Sequence, residues 1–174
     1  MIHAIWIFTI AVLAVFLELM TGRYGLLVPV FLSAAFYFMI VYSRWHILVP
    51  LGIMAIVLDL SFARSGYLSL IMVALAGYGA GAWQRHGNCT RPIFQALPGL
   101  VLGLTWGIGL IITERFELAT MHWREVAASV FLCFEAIIMA AVTLPGATWL
   151  LDKIAERLGL PEYRFSQRES RRRV

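Results

Sequence analysis

Six apolar runs follow one another along this chain, with barely enough polar residues between them to turn. They cover roughly 2–20, 26–43, 47–63, 67–83, 93–113 and 126–151. A membrane-spanning helix needs about 20 predominantly apolar residues, and these runs reach or approach that length. A water-soluble fold of 174 residues has too little interior to hide all of them. Composition agrees: 61% of the residues are hydrophobic, 14% are charged and mean hydropathy is +0.82, far more apolar than a soluble domain. The expected fold is all-α, a polytopic integral membrane protein with about six transmembrane helices in one domain over 1–151. Residues 152–174 are expected to form a basic cytoplasmic tail. It begins as a helical extension of the last run and stops at Gly159 and Pro161.

The third and fourth runs are the shortest, and "ARSGY" between them leaves room for a tight hairpin. The alternative is a single broken or re-entrant element over 47–83. The first run has no Lys or Arg before it and no small-residue cleavage site after it, so it reads as a retained span rather than a signal peptide. With the N-terminus inside, ten Lys and Arg residues fall on the cytoplasmic side and Arg23, Arg64, Arg115 and Arg124 on the outer side. That bias places both termini in the cytoplasm. Seven of the ten lie from Lys153 onward, so the net charge of +4 is mostly a property of the tail. Such a cluster suits anionic inner-leaflet lipid. No aromatic-interleaved basic platform accompanies it, so nucleic acid is not an expected partner.

Ionisable residues inside a span are costly, at least about 2.5–3.5 kcal/mol at a helix centre, and three occur: Glu18, Asp59 and Glu135. Glu18 is near enough to its span's end to snorkel to the interface. Asp59 is about one turn from the outer end of span three. Glu135 lies about nine residues into span six, about 13 Å at ~1.5 Å per residue. All three belong to the outer half. Either they brace helices through arginines or backbone N–H groups, or they line an outward-facing polar pocket for a ligand or a partner's helix. No series of acids or histidines crosses the membrane, which argues against proton or ion transport. Gly99, Gly103 and Gly107 recur every four residues on span five, and Gly77 and Gly81 mark span four. Small residues so spaced let helix backbones approach, within this chain or across to a partner. The segment "ERFELATMHWRE" resembles a short interfacial helix. Cys89 and Cys133 fall on different levels and should not pair, and His86 with Cys89 is too small a set for zinc. No catalytic series, phosphate loop or acidic metal pair is present, so the chain is expected not to be an enzyme and to need no cofactor.

The spacing "G-x6-D-L-x5-G-x-L", from Gly52 through Asp59, Leu60 and Gly66 to Leu68, together with six short spans, resembles the MreD family of rod-shape-determining proteins. The resemblance covers about 26–85, where Pro29 precedes the second run, and is topological elsewhere. This chain departs from the pattern in having "SFAR" where family members often carry a further glycine, and in its longer basic tail. The resemblance implies a fold similar to the substrate-binding subunits of energy-coupling-factor vitamin transporters. It also implies a non-catalytic scaffold of the bacterial cell-elongation and peptidoglycan-synthesis machinery in the inner membrane. The implied partners are a single-span MreC-type protein and, through it, a RodA-type polymerase, its transpeptidase and the MreB filament. Asp59 would then fix the turn between spans three and four. The competing reading is a vitamin-binding transporter subunit, with Asp59 and Glu135 as ligand contacts.

Overall fold

The structure, a computed structural model, describes residues 2–42, 47–62, 67–86, 92–114, 123–161 and 163. Among them every regular element longer than one turn is an α-helix: α1 (Ile2–Arg23), α2 (Val30–Tyr42), α3 (Leu48–Ser61), α4 (Leu68–His86), α5 (Pro92–Glu114) and α6 (Trp123–Leu158). Local chemistry sets the ends. Gly25 and Gly159 adopt left-handed φ of 75° and 63°. In each case the following residue donates its N–H five residues back, Leu26 to Thr21 at 3.1 Å and Leu160 to Ala155 at 2.9 Å. This glycine-terminated stop satisfies carbonyls that the helix end leaves free. Pro92 opens α5, where a missing N–H costs nothing.

About six transmembrane helices were expected, the third and fourth the shortest, and the helices differ in length. Only α1 and the Val126–Leu158 part of α6 are long and apolar enough, among the described residues, to cross a membrane unaided. Helices α2 and α3 have 13 and 14 residues, about 20 Å at ~1.5 Å per residue, and the apolar part of α5, Ala96–Ile112, belongs to the same shorter class. The apolar runs overshoot α2 because Leu26–Pro29 are spent in the connection that precedes it.

Packing explains how α2 can be short. Its residues from Phe31 to Val41 are all buried, as expected of a helix that is apolar on every side. It lies against α1, α4 and α6, while α1–α3, α3–α4, α4–α5 and α5–α6 form the successive contacts around it. The outer helices present large apolar side chains to the surroundings, such as Phe8 and Phe16 on α1, Ile53 on α3, Ile71 on α4, Val101 on α5 and Phe131 on α6.

The glycine stripe of α5 is the seam with α6. A Cβ added at Gly99 would lie 2.6 Å from the Ala140 carbonyl oxygen, and one at Gly107 would lie 2.9 Å from Cys133 Sγ. Backbone meets backbone there, so the stripe is occupied within the chain. A Cβ added at Gly52 would lie 3.3 Å from Leu70 of α4, and one at Gly77 would lie 3.0 Å from Met39 of α2. Gly81 departs from the expectation: nothing lies within 4 Å of its Cβ position, so it brings no helices together. Two glycines that spacing did not single out do so, Gly22 beneath the Phe62 ring and Gly109 against Leu68 and Met72.

Candidate functional site

The site is built where odd-numbered helices hand over to even-numbered ones. Asp59, two residues from the end of α3, is only 2% exposed. Both its carboxylate oxygens accept the Ser69 backbone N–H, at 2.9 and 3.1 Å. Ser69 is in the first turn of α4, where backbone donors have no intrahelical acceptor and the helix dipole favours a negative charge. Tyr67, just before that turn, takes a left-handed φ of 52°, an uncommon conformation for a bulky residue. It swings the chain so that α4 starts over the carboxylate. Ser69 Oγ is buried there with no hydrogen-bond partner. Gly66 and Arg64, expected to frame or pair with Asp59, lie outside the described residues.

Glu18 does for α2 what Asp59 does for α4. It was expected to snorkel to the interface, but it is 5% exposed. Its Oε2 accepts the Phe31 N–H at 2.9 Å in the first turn of α2, so the inward pull of those unpaired donors outweighs escape to the surface. Glu135 reaches the same connection from α6, its Oε1 accepting the Leu27 N–H at 3.3 Å. Glu18 and Glu135 therefore hold the α1–α2 turn from two sides. A cavity of about 260 Å³ adjoins this turn, lined by Glu18, Leu27, Phe62, Trp106, Leu110 and Leu132 among others. Neither Asp59 nor Glu135 lines it. Of the three acids singled out from the sequence, Glu18 and Glu135 meet at the α1–α2 connection, and Asp59 serves the start of α4.

At the other end of the bundle is a constellation that sequence reading missed. Asp152 Oδ1 accepts both the Tyr37 hydroxyl at 3.0 Å and the Tyr163 backbone N–H at 2.9 Å. Tyr163 is 1% exposed, stacks on Tyr37 with ring centroids 6.4 Å apart, and accepts the Trp83 indole N–H at 3.0 Å. After the Gly159 stop, the chain thus folds back and is latched to α2, α4 and α6. Tyr163→Phe removes the acceptor of Trp83 while keeping the ring. Thermal unfolding in detergent should show a loss of about 1 kcal/mol, the net worth of such a bond.

The other expectations fall elsewhere. Cys133 packs against Gly107. Of the expected interfacial segment 114–125, Glu114 ends α5 and Trp123 opens α6, while 115–122, like Cys89 and the basic tail from Arg164, lies outside the described residues. No protein-family model, curated protein or solved structure matches this chain.

Proposed function

We propose that this chain is a non-catalytic membrane scaffold of the bacterial cell-elongation machinery, embedded through all six helices with both termini in the cytoplasm. The observation that carries this reading is how the carboxylates are used. Glu18, Asp59, Glu135 and Asp152 each receive a backbone N–H from a connection or a helix start. Acid–base chemistry or cation transport needs such groups to present oxygens to one reacting or binding point. Each of these instead accepts a backbone N–H as a brace, Glu18, Asp59 and Glu135 at one end of the bundle and Asp152 at the other. Embedding is supported by the exposed apolar side chains on α1 and α3–α6 alongside buried Glu18 and Asp59. That arrangement suits lipid, since contiguous apolar surface on this scale is unusual in a soluble monomer. The short α2 is consistent with it, because an enclosed helix need not match the bilayer's thickness.

The MreC-type partner, and through it the polymerase, transpeptidase and filament, rests on the resemblance around Gly52, Asp59, Leu60, Gly66 and Leu68. Anionic lipid is proposed to meet the basic tail. The vitamin-transporter reading is favoured only by the cavity beside Glu18, and its expected contacts, Asp59 and Glu135, are not in the lining. Co-expression of the full chain with a tagged MreC-type protein, followed by purification in mild detergent, tests the proposal. A stoichiometric complex is expected. Recovery of the chain alone with a bound vitamin-sized metabolite would reverse the order of the two readings.

A further inference from the structure

The outward surface of the bundle is lowest at α3. This helix leaves Val49, Ile53, Val57 and Leu60 at 66%, 55%, 42% and 72% exposure, and their spacing keeps them on one helix face. Helix α2 is of similar length but enclosed; α3 is not. From Ile47 to Phe62, the residues that cap α3 at its two ends, the rise is about 24 Å at ~1.5 Å per residue. The hydrocarbon of a typical bilayer is about 30 Å thick. On α6 the exposed apolar side chains run from Val126 to Leu150, about 36 Å by the same measure. The two helices stand on different flanks: α3 packs on α1 and α4, and α6 on α2 and α5.

We propose that the α3 flank is covered by lipid and draws the bilayer thinner around itself, so that short acyl chains gather there. The inference rests on the membrane reading of the fold and assigns the lipid that this flank selects. Small residues decide between lipid and a partner's helix. Helices associate within a membrane through glycine, alanine, serine or threonine, and on α3 none of these is offered outward. Gly52 and Ala55 are buried, the first with Leu70 3.3 Å from its Cβ position. The Ser61 hydroxyl is turned back onto the Val57 carbonyl at 2.7 Å. Branched apolar side chains are what the face presents, and acyl chains suit them. Length then sets the thickness. Carrying a chain past the end of a helix through hydrocarbon leaves backbone polar groups unpaired, which is expensive. Thinning the bilayer by about 6 Å costs only a modest amount per ångström, so the bilayer yields first. Tilting the bundle gives no escape, since it lowers the height of α3 further.

The test uses the full chain in vesicles that mix phosphatidylcholines with monounsaturated chains of about 14 and about 22 carbons. A fluorescent amino acid replaces Ile53 on α3 or Ile138 on α6, sites matched at 55% and 57% exposure. Val57 supplies a second position on the α3 face. Brominating one lipid at a time quenches the label by contact, so the ratio of the two quenching strengths reads the local lipid composition. At Ile53 and Val57 the short lipid should be enriched at least about threefold over the bulk mixture, the direction that mismatch favours. At Ile138 no such enrichment is expected. Equal composition around Ile53 and Ile138 overturns the proposal and leaves the membrane reading in place. So does an Ile53 label that neither lipid quenches while Ile138 is quenched, which would mean that protein covers α3. Labels untouched by either lipid at all three sites would overturn the membrane reading and this inference with it.

Discussion

Replacing Gly103 with leucine is expected to abolish recovery of folded protein. A Cβ at this position would sit 2.7 Å from both the Ala136 carbonyl oxygen and Ile137 Cα, and 2.9 Å from Ala140 Cβ. Two of those three atoms are backbone, which cannot rotate aside as a side chain can. Alanine alone would have to push α5 from α6, and overpacking of that kind costs about 1–3 kcal/mol. Leucine adds three more carbons in the same gap, against a net stability of about 5–15 kcal/mol for a typical domain. Membrane helices lack the usual hydrophobic drive and depend on this close packing, so separating them removes most of what holds α5 and α6 together. The measurement is the monodisperse fraction of a fluorescent fusion on size exclusion after detergent extraction, before and after heating. Gly81→Leu is the matched control, since nothing lies within 4 Å of that site, and it should behave like the native chain. A Gly103→Leu protein as abundant and heat-stable as the native one would mean that the helices do not meet through the stripe.

The contrast between Gly103 and Gly81 shows how far spacing alone can be read. Apolar runs locate all six helices, because a helix that must avoid water leaves a continuous signature whatever its neighbours. They do not resolve where α2 begins: Leu26–Pro29 are apolar yet form a connection held by Glu18 and Glu135. A four-residue glycine period on α5 marks a packing face because α6 offers small residues at the matching level. The same kind of signal at Gly81 is silent about whether any helix stands opposite. Asp59 was legible from its cost, as a charge in an apolar run, and so was Glu135. Asp152 carried no such cost, lying where the sequence already turns polar. Its partners, Tyr37 and Tyr163, are 115 and 11 residues away. Nothing local to Tyr163 announces burial. Long-range polar contacts of this kind depend on which helices become neighbours, and no period within one helix encodes that.

At Asp59, the expected result is a graded loss: Asp59→Asn retains most of the folded protein and Asp59→Leu loses it. The carboxylate is 2% exposed and receives the Ser69 N–H on both oxygens. Leucine leaves that donor buried and unpaired, at a cost of about 1–3 kcal/mol. It also removes the negative charge from the start of α4, worth up to about 2 kcal/mol in a partly buried setting. Asparagine keeps one acceptor oxygen at the same reach, so it forfeits the charge and the second contact but not the bond itself. Ser69→Ala separates this backbone brace from anything the serine side chain does. The Ser69 hydroxyl is buried without a partner, so its removal should leave stability unchanged or raise it, because an unmet polar group is a cost to the fold. Thermal unfolding of the three variants in detergent gives the order Ser69→Ala, Asp59→Asn, Asp59→Leu from most to least stable. Cell-shape complementation is expected to follow the amount of folded protein in each. An Asp59→Asn protein that is abundant and well folded yet fails to complement would mean that the charge itself is used. In that event Asp59 would be a functional group rather than a brace, and the ligand-binding reading would move ahead of the scaffold.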